Sequence, residues 1–320
     1  MRNALRAEAR RLLSRRLTVV ALLVLFGMVA LFQLEVNSQI TPPSAAEVAQ
    51  TQAEYDQYQR DWEANHETWE AECLDSGGAP DECAVPPPEP ADWGLGPTSF
   101  REVVSGAVSF AVYLTGLVLF VALASFIGAE ATTGSLANWL TFIPDRRVVL
   151  TSKLAVAAVF AVLVGVAATG LTVAASSVLA LVHRQPLTGL EQLVAMAGRG
   201  VVVVAVLGVL GFCVGMLTGS TGASIGVLLG GLFLTYVRLI LSVTARWAEH
   251  LAPWSPEVNL TAIVHAGTTY PVSAGPGTDP DSATVAERSL SLAHGLGYWA
   301  VLLVAVIVVT WLVFRRRDVS

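Results

Sequence analysis

Six long apolar segments restrict the fold of this 320-residue chain more than any other feature of its sequence. A helix needs about 20 apolar residues to cross the roughly 30 Å hydrocarbon core of a bilayer, and each segment is close to or above that length. Hydrophobic residues make up 54% of the chain and charged residues only 14%, which excludes a soluble globular protein. We therefore predict an all-α integral membrane protein with six transmembrane helices. The segments are residues 17–34, 103–129, 148–182, 201–217, 223–243 and 297–314.

The distribution of charge between the loops predicts how these helices are oriented. With both termini in the cytoplasm, the internal segments hold twelve of the 19 basic residues and four of the 25 acidic residues. Lysine and arginine are generally in excess on the cytoplasmic side, so this orientation is favoured. We expect a multi-pass protein of a bacterial cytoplasmic membrane with both termini cytoplasmic. We expect no nucleic-acid partner, because the acidic residues that lower the pI to about 5.4 concentrate in one external loop.

The first unit, residues 1–34, joins a basic amphipathic segment to the first span. Leu5, Leu12 and Leu13 can enter the membrane interface while the neighbouring arginines meet lipid headgroups. Two adjacent arginines before an apolar run also fit a Sec or Tat signal. The apolar run is longer than a usual signal core, and no small-residue cleavage site directly follows it. We therefore predict an interfacial elbow helix followed by an uncleaved first span.

The second unit, residues 35–100, is an enlarged external loop. It holds 14 of the 25 acidic residues and a single basic residue, Arg60. Residues 44–72 predict a helix whose aromatic side chains recur at helical spacing. We expect this aromatic stripe to pack on another part of the external region or on the outer ends of the spans. A lid or a substrate-capture surface is the alternative. The stripe consists of Tyr55, Tyr58, Trp62 and Trp69.

Two of the three cysteines lie in this external loop. Cys73 and Cys83 enclose a short loop, and an even number of cysteines outside the cytoplasm indicates a disulfide. Cys213 lies inside the fourth apolar segment, where we expect it to pack as a small apolar residue.

The third unit, residues 101–320, contains the other five spans. Glycines spaced four residues apart favour close helix packing in the fourth and fifth spans. We expect Arg238 to reach the outer interface, with contact to an anionic substrate or a lipid headgroup as the alternative. The external loop at residues 244–296 predicts a short helix that begins at Ser255 or Pro256. The glycine series are Gly211, Gly215 and Gly219, and Gly222, Gly226 and Gly230.

The polar stretch between the second and third spans has a helical pattern of its own. Apolar residues follow at i, i+3, i+4 and i+7 from Leu136, after hydroxyl side chains that can cap a helix start. Pro144 disfavours a helical conformation at the residue before it and so ends the run. The sequence thus predicts a short amphipathic helix at residues 135–143, between two spans.

This stretch resembles the cytoplasmic loop between the second and third spans of ABC-2 type ABC transporter permeases. Two further parts of the family pattern follow in order, Ser255-Pro256 before the last span and Phe314 to Asp318 at its end. The resemblance covers about residues 1–318, and the enlarged external loop departs from the usual pattern. The loop residues that carry it are Glu130, Gly134, Ser135, Leu136, Trp139, Leu140, Pro144, Arg146 and Arg147, followed by Lys153.

The resemblance implies an ABC-2 (type V exporter-like) permease fold with an N-terminal elbow helix, a cytoplasmic coupling helix and an enlarged external loop. It also implies two permease subunits, identical or related, that work with two cytoplasmic ATPase subunits. The loop residues from Glu130 to Arg147 would contact the ATPase, which would bind ATP and Mg²⁺, so that this chain needs no cofactor. The expected substrate of the exporter is amphipathic, such as a drug, a lipid or a peptide.

The chain lacks the phosphate loop of an ATPase. Its one lysine, Lys153, follows Thr151-Ser152 instead of a glycine-rich loop. We therefore expect a transport subunit instead of an enzyme, without catalytic or metal-binding residues. Two alternatives stay open. One is a membrane-embedded hydrolase that uses the GASIG sequence at residues 222–226 or the external histidines, and the other is a non-transporting membrane scaffold.

Overall fold

The computed structural model describes residues 2–78, 80–95, 99–133, 145–244, 246–273 and 285–316. Within these residues the chain is mostly helical, and six helices are long and apolar enough to cross a membrane. They coincide with the six apolar segments, which confirms the prediction of a helical multi-pass membrane protein. The six helices are α2 (Arg16–Ile40), α5 (Phe100–Thr132), α6 (Arg146–Val182), α7 (Leu190–Thr218), α8 (Thr221–Thr244) and α10 (Leu292–Arg316).

The other elements lie before, between or after these helices. They are α1 (Arg2–Ser14), α3 (Ala45–Asp75), α4 (Pro80–Cys83), a 3₁₀ helix (Arg246–Trp254), α9 (Pro256–His265), β1 (Gly267–Ser273) and β2 (Val285–Ser291). The predicted helix start at Pro256 is confirmed. The two strands were not expected from the all-α prediction. They pair in antiparallel fashion, with Gly267 opposite Ser291. A two-stranded hairpin is only marginally stable by itself, and this one packs against the 3₁₀ helix and α9.

The core of the bundle consists of α5, α6 and α7. In the most apolar windows of α5 and α7, 67% of residues are buried, against 6% in α8. Hydropathy is high in all six helices, so it is the buried fraction that distinguishes the central helices from the peripheral ones. The peripheral helices α2, α8 and α10 turn most of their apolar surface away from the rest of the chain.

Two glycines of α7 allow its backbone to approach that of α5. A Cβ atom on Gly211 would overlap the carbonyl oxygen of Phe120, and one on Gly215 would lie 2.5 Å from that of Ala124. The first glycine series therefore packs closely at these two positions, as expected. The second series differs, since a Cβ on Gly226 would meet nothing within 4 Å among the described residues.

Gly211→Ala should destabilise the protein, whereas Gly226→Ala should not. The added methyl group at position 211 forces α5 and α7 apart, at a cost of about 1–3 kcal/mol. The methyl group at position 226 enters open space in a helix that favours alanine over glycine. Thermal unfolding of both purified variants in detergent measures the difference. Equal melting temperatures would contradict the close approach of α5 and α7.

The helix ends form two faces of different character. The basic face contains α1, the end of α5, the start of α6 and the end of α10. Arg15 donates to the carbonyl oxygens of Ser125 and Phe126, at 3.0 and 2.7 Å, and Arg146 donates to that of Phe314 at 3.2 Å. The opposite, acidic face contains α3, the 3₁₀ helix, α9 and the two strands. Since six helices separate them, α1 and the end of α10 lie on the same face.

The break between α1 and α2 lies at Arg15, whose ψ of 127° is outside the helical range. The first span therefore begins as a new helix, as the elbow prediction requires. Leu12 does not face an interface as expected, but is buried among other hydrophobic residues of the bundle. The reason is that α1 packs against α6 and turns this side of the helix inward.

On the acidic face, the predicted external helix is present as α3. Its first turn is capped by Ser44, whose hydroxyl accepts a hydrogen bond from the Glu47 N–H, while the Glu47 carboxylate accepts one from the Ser44 N–H. Hydrogen bonding from the side chain and the backbone N–H of Ser44 holds the pKa of the Glu47 carboxylate below its usual value. At the other end, Cys73 and Cys83 form the predicted disulfide, with their Cα atoms 5.5 Å apart.

The aromatic stripe of α3 packs on the proline-rich segment that returns to the membrane, residues 84–95. The Tyr55 hydroxyl donates to the carbonyl oxygen of Pro88 at 3.2 Å, and the Trp62 indole donates to that of Val85 at 3.0 Å. These contacts confirm the first of the two packing expectations. Helix α3 and this segment form a hairpin closed at its tip by the disulfide.

Candidate functional site

The one lysine of the chain lies in a buried group of charges on the basic face. The Lys153 side chain, near the start of α6, is 0% exposed. Its ammonium group donates to Glu8 of α1 at 2.8 Å and to Glu130 of α5 at 2.6 Å. The two carboxylate side chains are 2% and 12% exposed. We refer to Glu8, Glu130 and Lys153 as the ion cluster.

The side chains of Phe126 and Arg11 lie beside the ion cluster. The Lys153 ammonium lies 5.2 Å from the centre of the Phe126 ring, within the range of a cation–π interaction. Arg11 of α1 lies 3.9 Å from Glu130. With Arg11 included, two positive and two negative side chains balance one another. Among the described residues, the charges around Lys153 thus oppose one another, which reduces the cost of burying them.

The ion cluster joins three helices that are distant in sequence. Lys153 and Glu8 are separated by 145 residues, and Lys153 and Glu130 by 23. A buried charge without its partner costs several kcal/mol of folding free energy. The contacts between the three side chains offset this cost only while all three helices keep their positions. The cluster therefore makes the positions of α1, α5 and α6 depend on one another.

The sequence pattern assigned Glu130 to an ATPase contact and no role to Glu8. Two signals could have suggested the ion cluster: a lone glutamate in a basic segment, and a lone lysine at the start of a span. Ionisable groups next to apolar helices usually reach water unless they have a partner. Which carboxylate becomes the partner depends on the packing of α1 against α6, and no local pattern encodes that packing.

Amine labelling tests the burial of Lys153. An amine-reactive ester should leave Lys153 unmodified in the folded protein, because its ammonium is buried and held between two carboxylates. The same lysine should react fully after denaturation, as read by peptide mass spectrometry. The matched control is Arg16→Lys, which places an amine at an exposed position of the same face. Modification of Lys153 in the folded protein as fast as the control would contradict this burial.

Two of the predicted coupling residues attach the start of α6 to the end of α10. Arg146 donates to the carbonyl oxygens of Phe314 at 3.2 Å and Arg315 at 3.3 Å. The Arg147 guanidinium lies 5.8 Å from the centre of the Trp311 ring. Both arginines thus bind α10 within the chain. Their contact with an ATPase stays a prediction.

The other predicted coupling residues belong to the segment 134–144 and lie outside the described residues, as does the predicted helix at residues 135–143. The structure does place the residues that flank this segment. Helix α5 ends at Thr132, two residues after Glu130, and α6 begins at Arg146. The segment is thus flanked by the ion cluster on one side and by the contacts with α10 on the other. The residues outside the described ranges are Gly134, Ser135, Leu136, Trp139, Leu140 and Pro144.

On the acidic face, Arg238 has a partner that the sequence did not suggest. Its guanidinium Nε donates to the carboxylate of Glu257 in α9 at 2.6 Å. This ion pair attaches the C-terminal part of α8 to α9, in addition to the contact of Glu257 with Thr235 at 3.3 Å. A contact of Arg238 with a lipid or a substrate stays a prediction.

A polar pocket of about 290 Å³ lies between α5, α7 and α9 on the acidic face, and Arg101, Arg199 and His265 help to line it. Arg199 donates to the carbonyl oxygen of Val264 at 3.1 Å, and Ser109 lies 3.2 Å from the His265 imidazole. Desolvation and the nearby charge of Arg199 hold the pKa of His265 below its usual value. His265 is therefore neutral at pH 7. The pocket shares no residue with the ion cluster.

The GASIG sequence does not have the surroundings of a hydrolase nucleophile. Ser224 is buried in the first turns of α8, where its hydroxyl donates to the Ser220 carbonyl at 2.8 Å and pairs with the Thr218 hydroxyl at 2.9 Å. A nucleophile elbow requires an exposed serine on a strand-to-helix turn. Among the residues that the structure describes, no three His, Cys, Asp or Glu side chains come together as a metal site.

The fold places this chain in the class of helical, multi-pass membrane proteins, with six candidate spans among the described residues. Comparisons with protein-family models, with curated proteins and with solved structures found no match to this chain. Two features bear on function: the geometry of the basic face, and the sequence pattern of residues 134–144 between α5 and α6.

Proposed function

We propose that this protein is the transmembrane permease subunit of an ATP-driven ABC exporter, with the ABC-2 (type V exporter-like) fold. Two such subunits, identical or related, act with two cytoplasmic ATPase subunits that bind ATP and Mg²⁺. The complex moves an amphipathic substrate, such as a drug, a lipid or a peptide, across a bacterial cytoplasmic membrane. The basic face is the cytoplasmic face in this proposal.

The observation that supports the proposal best is that the helices on both sides of the segment 134–144 are held by contacts within the chain. On one side, Glu130 binds Lys153 at 2.6 Å within the ion cluster. On the other side, Arg146 binds the last turn of α10. A partner that moves this segment would therefore act on helices at both of its ends. This is the mechanical property that a permease needs in order to respond to a separate ATPase.

The proposed mechanism uses the interdependence of the helices. Closure of the ATPase subunits on ATP pushes the segment 134–144 and displaces the ends of α5 and α6. Because Lys153 binds both Glu130 and Glu8, α1 moves with α5 and α6. Packed helices change position as rigid bodies between discrete arrangements, so a small push can switch the spans between inward-open and outward-open states. ATP hydrolysis in the partner then resets the cycle.

Purification of the complex tests the proposal directly. The tagged chain, isolated from its native membrane in mild detergent, should carry a protein with a phosphate-loop motif. The purified complex should hydrolyse ATP, and an amphipathic substrate should stimulate that activity. Isolation of the intact chain without any phosphate-loop protein and without ATPase activity would contradict the proposed function.

Cysteine labelling tests the proposed orientation. A membrane-impermeant thiol reagent added outside intact cells should modify cysteines introduced at Ser44 and Ser282, and should reach one at Ser320 only after the cells are opened. The expectation follows from the excess of basic residues on the face that carries α1 and the end of α10. External labelling at position 320 would reverse the assignment of the faces.

A further inference from the structure

An apolar groove of about 630 Å³ lies between α1, α2 and α6 on the basic side of the protein. This volume falls within the range of roughly 300–1,000 Å³ that is usual for small-molecule sites. Aliphatic and aromatic side chains form the groove, among them Leu13, Phe26 and Leu163. Arg6 is the charged residue of the lining.

Helix α1 divides its side chains between the ion cluster and this groove. Glu8 and Leu12 point into the bundle and are buried. Leu5, Ala9 and Leu13 follow one another at intervals of four residues and line the groove instead. The helix that carries one carboxylate of the ion cluster therefore also forms one wall of the groove.

The dimensions and position of the groove indicate its occupant. The lining residues of α6 run from Ala155 to Ala167, about 18 Å along the helix axis. One leaflet contributes about half of the roughly 30 Å hydrocarbon core, so the groove is as long as an acyl chain in one leaflet. Its walls are two spans and the helix before them. Since Val159 and Leu163 in the groove are exposed in the chain alone, the groove would face lipid in a membrane.

We propose that the groove binds one acyl chain of an anionic phospholipid, whose phosphate binds Arg6. Val159 and Leu163 are 59% and 63% exposed in the chain alone, and the acyl chain covers them. Basic residues beside a span attract anionic headgroups, and Arg10, one turn from Arg6, adds to this attraction. A second copy of the chain fits less well, because its basic face would bring arginines against arginines. The lipid holds α1 against α6 and so supports the ion cluster.

Native mass spectrometry of the full-length protein, released from nanodiscs, tests this assignment. The discs contain equal amounts of phosphatidylglycerol and phosphatidylcholine with matched acyl chains. Val159→Trp fills the middle of the groove, and Val178→Trp is its control, since Val178 is 58% exposed on the same helix but outside the groove. Arg6→Gln removes the headgroup contact, and Arg16→Gln is its control with the same loss of charge on the same face.

The wild-type protein should retain one phosphatidylglycerol molecule in preference to phosphatidylcholine. Arg6→Gln should lower this preference about fivefold, the effect of one basic residue near an anionic headgroup, while Arg16→Gln retains it. Val159→Trp should abolish retention of either lipid, while Val178→Trp does not. Equal retention of the two lipids by the wild-type protein, or equal loss in a variant and its control, would overturn the proposal. So would a change from dimer to monomer in Val159→Trp without loss of lipid, since a second chain would then occupy the groove.

Discussion

Lys153→Met should lower the free energy of unfolding by about 3–5 kcal/mol, the largest effect on stability among the substitutions considered. Methionine is similar to lysine in length and suits a buried position, so little packing is lost. The substitution instead leaves the carboxylates of Glu8 and Glu130 buried without the ammonium group that lies between them. Thermal or chemical unfolding of the purified protein in detergent measures the loss. Arg16→Met is the control, since it removes one exposed positive charge from the same face.

A triple variant separates the charges from the packing. Glu8→Gln and Glu130→Gln, combined with Lys153→Met, remove the whole set of cluster charges. Two buried amides cost less than two unpaired buried carboxylates, so the triple variant should recover part of the loss. If Lys153→Met is as stable as Arg16→Met, or if the triple variant recovers nothing, the ion cluster does not hold the three helices together.

Trp139→Ala should weaken binding of the ATPase subunit by about 2–4 kcal/mol, or roughly 30- to 1,000-fold in Kd. Trp139 lies outside the described residues, so this expectation comes from its position in the predicted coupling helix. A buried tryptophan is a frequent anchor at the centre of an interface, and its truncation removes both contact area and the exclusion of water. The measurement is the amount of ATPase that co-purifies with the chain, together with substrate-stimulated ATP hydrolysis.

The control for Trp139→Ala is Trp247→Ala, which removes an exposed tryptophan on the acidic face. Both variants should insert normally, because neither changes a span. Trp247→Ala should keep ATPase association, while Trp139→Ala should lose it. Unchanged association and transport in Trp139→Ala would show that the segment 134–144 does not anchor the ATPase. The proposed function would then lose its main local support.

The two substitutions also distinguish the parts of the proposed mechanism. Lys153→Met acts on the stability of the chain alone and should do so in the absence of any ATPase. Trp139→Ala should leave that stability unchanged and act only on the complex. Lys153→Met could also lose substrate-stimulated ATP hydrolysis at a temperature where the protein is folded. In that case the ion cluster would transmit motion between the ATPase and the spans.

The sequence by itself determined the features that depend on one segment at a time. Six candidate spans follow from apolar length, since a segment that crosses lipid must be long enough and must satisfy its backbone hydrogen bonds within its own helix. The start of helix α3 at Ser44 and the helix start at Pro256 follow from capping and proline, which act within a few residues. The Cys73–Cys83 disulfide joins residues only 10 positions apart.

Only the tertiary structure decided which distant groups meet. Lys153 could have faced water or lipid headgroups, and Glu8 became its partner because α1 packs on α6. Two glycine series have the same spacing, yet Gly211 lies against the backbone of α5 while Gly226 faces open space. A local pattern specifies the face of a helix but not the helix that covers it. That choice depends on the packing of the whole bundle, and here it placed the chain's one lysine between two carboxylates of other helices.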